Sequence, residues 1–227
     1  MPALALSARF SCRTLLLAAL ALSVTMLPPA AAFAAKKRPR PAPAKAKPKL
    51  EVVFETNKGK FVVALNEEKA PVSAANLLAY VQSGFYDGTV FHRVIDNFMI
   101  QGGGFDKDLK KKPTKEAIKN EADNGLSNVR GTLAMARTNV VDSATSQFFI
   151  NVKDNTQLDH SPASFGYAVI GEVVQGMNVV DAIRAVPVKC SSQSGEPCNE
   201  DLPVGMRDVP ADAVVITKAY KKLPRKK

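Results

Sequence analysis

The sequence predicts a mainly β protein, a closed eight-stranded antiparallel β-barrel accompanied by two helices. Short runs rich in β-branched and aromatic residues recur between residues 50 and 220, separated by glycine, proline and long polar loops. Only two stretches carry helical spacing, so the strand–helix alternation of a parallel sheet is missing. One domain accommodates all of this, with no internal repeat.

Residues 50–56 and 60–65 read as an opening hairpin joined by Asn57-Lys58-Gly59, a three-residue turn with glycine supplying positive φ. A helix is expected over 71–81, because Pro71 stands at its first turn and Gly84 just past its end. Val72, Ala75, Leu78 and Ala79 are its expected apolar face. Further strands are expected at 90–95, 99–102, 131–136, 147–152 and 167–174, a short helix at 177–184 and a last strand at 213–219.

Charge is uneven along the 227 residues. The formal net charge is +10, from 31 basic and 21 acidic side chains. Nine basic residues fall in the first fifty positions and six in the tail from Lys218, leaving 16 basic against 21 acidic between 50 and 217. The body is thus mildly acidic, and a nucleic-acid partner is not expected of it.

Arg9 and Arg13 precede an apolar run at 15–27, followed by prolines and Ala32-Phe33-Ala34. That is the layout of a Sec signal peptide over 1–34, and the run falls short of the roughly 20 residues of a spanning helix. An uncleaved anchor is the alternative. The proline-rich, lysine-rich stretch 35–49 holds no large apolar residue and reads as an extended linker. It is either a solvated spacer or an electrostatic tether to an anionic membrane surface or to nucleic acid in transit. The single domain spans 50–220, and 221–227 forms a basic tail. An exported chain places Cys190 and Cys198 in an oxidising compartment, where pairing is expected. Metal binding competes with that reading, although His92 and His160 both lie far from the two cysteines in sequence, and no metal site is expected.

The densest cluster is FHRVIDNFMIQGGGFD at 91–106. At period two, Met99 and Gln101 share one face of a strand, as do Gln147 and Phe149, whereas Phe148 and Ile150 take the other. Such a mixture suits an apolar slot with polar edges. QGGGFD lacks the spacing and the Lys-Ser/Thr pair of a phosphate loop. The six lysines of 107–119 read as a solvated loop. His92 has no serine or cysteine elbow beside it and reads as a hydrogen-bonded core residue. What remains is an arginine, Arg93, beside an apolar slot.

YDGTVFHRVIDNFMIQGG at 86–103, GTLAMAR at 131–137, SQFFI at 146–150 and FGYAVIGEVVQGMNVVDAI at 165–183 resemble the cyclophilin family of peptidyl-prolyl cis-trans isomerases over roughly 50–220. The leader and the insertion at 158–166 make the chain most similar to bacterial periplasmic members. The resemblance implies that Arg93 is the catalytic guanidinium and that Gln101 orients it and the substrate. It implies a proline pocket walled by Phe98, Met99, Phe149, Leu158 and Tyr167, with Gln147 lining the groove. The backbone of Ala136 and Arg137 would bond the peptide. Proline-containing peptides and unfolded exported proteins are the implied partners, and no cofactor is implied. Gln157 stands where many members have tryptophan, which implies weak or no cyclosporin binding, and Tyr167 stands where they have histidine and still supplies an aromatic wall. A proline-peptide binding module or chaperone with little turnover is the alternative function.

Overall fold

The computed structural model describes residues 50–194, 202–203 and 205–222. The predicted leader and linker, Cys198, and residues 223–227 of the predicted tail lie outside them. Strands β1 (Glu51–Thr56), β2 (Gly59–Leu65), β3 (Thr89–Ile95), β4 (Met99–Asp106), β5 (Thr132–Met135), β6 (Phe148–Asn151), β7 (Val169–Gln175) and β10 (Ile216–Lys221) form one eight-stranded sheet. Its order is β10-β1-β2-β7-β5-β6-β4-β3, with antiparallel pairing throughout. The two edges meet where Val90 bridges Val215 and the Phe91 N–H donates to the Val214 carbonyl at 2.9 Å. Closure of this kind removes exposed strand edges. It also explains why the last strand begins later than its sequence suggests: Val214 and Val215 are engaged with β3 before the chain joins β1.

The barrel interior is aromatic. Phe54, Phe61, Tyr86, Phe91 and Phe148 are at most 1% exposed. Phe148 meets the Tyr86 ring edge-on at 5.5 Å and Phe91 at 6.1 Å, geometries that suit ring quadrupoles. Helices α1 (Pro71–Gln82) and α2 (Met177–Arg184) add Leu77, Tyr80, Val180 and Ile183 to the same core. The expected face of α1 is not the buried one: Ser73, Ala74, Leu77, Tyr80 and Val81 point inward, while Val72 is 45% exposed. Apolar residues surround this helix on most sides, so spacing alone does not choose a face; the bulk of Leu77 and Tyr80 does.

Two further local expectations change. Gly59 pairs with Thr56, making the hairpin loop the two residues Asn57 and Lys58. Gly59 has φ +130° and a Cβ there would stand 2.8 Å from Val179, so glycine serves the approach of α2 as well as the turn. The lysine-rich loop is tied down: the Lys115 N–H donates to Tyr80 Oη at 2.8 Å, and Ile118 bridges Ala144. Strands β8 (Val188–Lys189) and β9 (Val209–Pro210), not expected from the sequence, pair as a separate two-residue ribbon.

Candidate active site

Strands β4 and β6 pair so that Gln101 lies opposite Phe149 and Gly102 opposite Phe148. The predicted alternation follows. Ile100, Phe148 and Ile150 enter the barrel core, while Met99 and Phe149 join Ile95, Ala134 and Val169 in a second apolar cluster outside it. Phe98, Ala136, Leu158 and Tyr167 pack on that second cluster.

Beside it opens a cavity of about 250 Å³ lined by Arg93, Phe98, Met99, Gln101, Ala136, Arg137, Phe149, Leu158 and Tyr167. The structure thus gathers every residue expected at the pocket except Gln147. That residue borders an adjoining cavity of about 400 Å³ shared with Arg93. Gln101 Nε2 donates to Gln147 Oε1 at 2.9 Å, linking the two cavities. Although Gln101 is the cross-strand partner of Arg93, its amide therefore points to Gln147 rather than to the guanidinium.

The glycines between these residues make the close packing possible. A Cβ on Gly103, at φ +80°, would stand 2.8 Å from the Tyr86 ring and 2.9 Å from Phe148, and one on Gly104 would meet Gln147 at 2.5 Å. QGGG is thus strand backbone pressed under aromatic rings and an amide, which removes any phosphate-loop character.

The far wall is a loop fixed by buried amides, a feature the sequence reading missed. Asn155 Nδ2 donates to the Phe98 carbonyl and to Asn151 Oδ1, both at 2.7 Å. Asn151 Nδ2 donates in turn to Thr132 Oγ1 at 2.9 Å and Asn128 Oδ1 at 3.2 Å. Asn128 Nδ2 reaches the Tyr167 carbonyl and Asp159 Oδ1. The Tyr167 N–H donates to the Leu158 carbonyl at 2.9 Å, so Tyr167 leaves the β7 ladder for the pocket wall. The sequence signal was five scattered polar residues, and only their convergence gives them meaning. Tyr167 meets Phe149 edge-on at 5.7 Å and carries the Arg137 guanidinium 4.7 Å over its ring. The Ala136 N–H is already committed to the Gln147 carbonyl at 3.0 Å. Among the described residues, the Ala136 carbonyl and Arg137 N–H make no hydrogen bond and face no internal competitor for a peptide.

Arg93 is 43% exposed at the rim, and its guanidinium donates no hydrogen bond among the described residues. Its neighbour His92 is 7% exposed, lies 4.6 Å from the Phe105 ring, and leaves Nδ1 without a partner. The expectation of a core position holds; that of a hydrogen bond fails at Nδ1. Burial lowers the His92 pKa to about 4, with a smaller lowering from Arg93 opposed by the Val90 backbone. The imidazole is neutral at neutral pH, and the permanent charge at the rim belongs to Arg93.

A closed barrel bearing an apolar slot on its outer face, with a backbone carbonyl and N–H open along one side and a guanidinium at the rim, defines a site for a short apolar peptide segment. The family model of the cyclophilin type peptidyl-prolyl cis-trans isomerase/CLD matches residues 51–219. The chain is 60% identical over 135 residues to peptidyl-prolyl cis-trans isomerase A of Dickeya dadantii, covering 60% of this chain and 71% of that protein. It is 53% identical over 154 residues to peptidyl-prolyl cis-trans isomerase B of Escherichia coli, covering 66% and 94%. A Cryptosporidium parvum cyclophilin crystallised in the presence of the dipeptide Ala-Pro superposes with a TM-score of 0.62 at 24% identity, over 77% of this chain and 99% of that one, a likeness of fold. The chain belongs to the cyclophilin-type peptidyl-prolyl cis-trans isomerase family, an enzyme family that works on the X-Pro peptide bond.

Proposed function

We propose that the pocket binds proline within a peptide and that Arg93 accelerates rotation about the preceding bond. The observation that carries this is the permanently charged guanidinium at the rim of a slot with aromatic and thioether walls. An X-Pro bond keeps partial double-bond character, with a barrier of about 18–20 kcal/mol and uncatalysed exchange over tens to hundreds of seconds. At the twisted transition state resonance is lost and the prolyl nitrogen becomes pyramidal and basic. A guanidinium N–H donated to that nitrogen stabilises the twisted form more than either planar form. The slot holds the ring, Ala136 and Arg137 hold one flank by backbone hydrogen bonds, and the acyl side turns.

A protease-coupled assay on an Ala-Pro test peptide tests the assignment. Arg93→Ala is expected to lose about tenfold or more in kcat/KM, roughly 1.4 kcal/mol of transition-state stabilisation per factor of ten, with the circular dichroism spectrum intact. Undiminished activity in that variant rules out the donor role, and binding without turnover in the parent chain supports the binding-module alternative.

The leader supports a periplasmic location and a role in folding exported proteins. Cell fractionation and N-terminal sequencing of the mature chain test it, with Ala35 expected as the first residue. A cytosolic, uncleaved product would remove the reading. In that compartment Cys190 and Cys198 pair, which thiol quantification of denatured protein checks: two free thiols per mature chain would refute it. Gln157 supports weak or no inhibition by cyclosporin in the same assay.

A further inference from the structure

Asp208, which the sequence reading passed over, stands just before β9, and the ribbon brings it to Arg93. Arg93 Nε lies 3.7 Å from Asp208 Oδ2. The Asp208 side chain is 2% exposed, its Oδ1 accepts the Ser192 N–H at 2.6 Å, and its Oδ2 has no hydrogen-bond partner among the described residues. An ionised carboxylate oxygen held out of water needs a compensating cation, and Arg93 is the one in ion-pair contact with it.

The backbone shows how firmly this carboxylate is placed. The Asp208 N–H donates to the Cys190 carbonyl at 3.2 Å, and its own carbonyl accepts the Val94 N–H of β3 at 2.8 Å. Asp208 has φ +59° and Cys190, across that hydrogen bond, φ +52°. Two non-glycine residues in the left-handed region at one junction are an uncommon expense, and strain of this kind collects where a side chain must be aimed. The Val94 hydrogen bond fastens Asp208 to β3 one residue past Arg93, and its carboxylate lies within ion-pair distance of the guanidinium.

At 3.7 Å the contact is too long for a hydrogen bond. It limits the swing of the guanidinium without occupying the N–H groups that a substrate would use, whereas a bidentate pair would divert them. We infer that Asp208 is a positioning residue for Arg93, holding the guanidinium toward the proline slot through Oδ2 and linking its direction to the Cys190 segment through Oδ1. The inference rests on the reading of Arg93 as the transition-state donor, and the test separates the two.

The full mature chain is assayed as parent, Asp208→Asn, Arg93→Ala and the double variant. Asp208→Asn keeps an oxygen for the Ser192 N–H and removes the charge. It is expected to lower kcat/KM about five- to tenfold, mainly in kcat, and to add less than about twofold in the Arg93→Ala background. Equal losses in both backgrounds would show that Asp208 acts on the fold, and an unimpaired Asp208→Asn would show that it does not act at all; either overturns the inference while leaving Arg93 in place. An unimpaired Arg93→Ala removes the donor reading, and the inference with it. If Asp208→Asn does not fold, Asp208→Glu and Asp208→Ser carry the comparison: the charged variant is expected to be the more active, and equal activity overturns the inference.

Discussion

His92 and Arg93 are adjacent on β3 yet meet different surroundings, and the difference sets their chemistry. Arg93 points to the rim and keeps its charge, while His92 is buried against Phe105 with its pKa lowered to about 4. In the unfolded chain an imidazole titrates near 6.5, so as pH falls from about 6.5 to about 4 the unfolded state takes up the proton first and the fold is weakened. Above that window His92 contributes no pH dependence, and below it the loss levels off at something on the order of 3 kcal/mol. His92→Gln should therefore lose less stability than the parent between pH 7 and pH 4.5, measured by urea unfolding; equal acid sensitivity would show that other groups dominate. The motif containing Arg93 was legible from the sequence. Asp208 was not, because no local pattern marks an aspartate whose importance lies in a partner on another strand.

Strand β6 shows what a two-residue period does at the scale of an element. Phe148 lies within the barrel at 0% exposure, and Phe149, beside it in sequence, forms part of the pocket wall. Phe148→Ala should cost about 3–5 kcal/mol by leaving a cavity among Tyr86, Phe91 and Phe54. Phe149→Leu should retain most of the stability and lower kcat/KM for the Ala-Pro peptide several-fold, by removing the ring that meets Tyr167. Thermal unfolding and the isomerase assay, run on both variants, check the separation; the reverse ranking would contradict the assigned faces. The alternation in β4 and β6 was readable because each strand has one apolar face committed to the core. Helix α1 was misread because its apolar residues do not confine themselves to one stripe. The β8–β9 ribbon was missed because two-residue strands have no periodicity to detect.

At the scale of the whole molecule, the basic character of the chain separates from its active site. Between 50 and 217 acidic residues exceed basic ones, and Lys222 is spent on Glu51 at 2.5 Å, fastening the end of β10 to β1. Deleting 35–49 from the mature chain should leave kcat/KM on a neutral Ala-Pro peptide within about twofold, since an uncharged substrate gives the linker's basic side chains nothing to attract. A larger loss, measured in the same isomerase assay, would mean that the linker reaches the site. The family, the eight barrel strands with near-correct bounds, and the side chains that line the pocket were legible in the sequence, because each of these is written in short local patterns of period two or in a contiguous motif. Only the tertiary structure decided the closure through Val90 and Val215, the inward face of α1, the amide network that sets Leu158 and Tyr167, and the placing of Asp208 behind Arg93. Those features depend on contacts between residues far apart in the chain, and burial and hydrogen bonding assign them partners only once the barrel has closed.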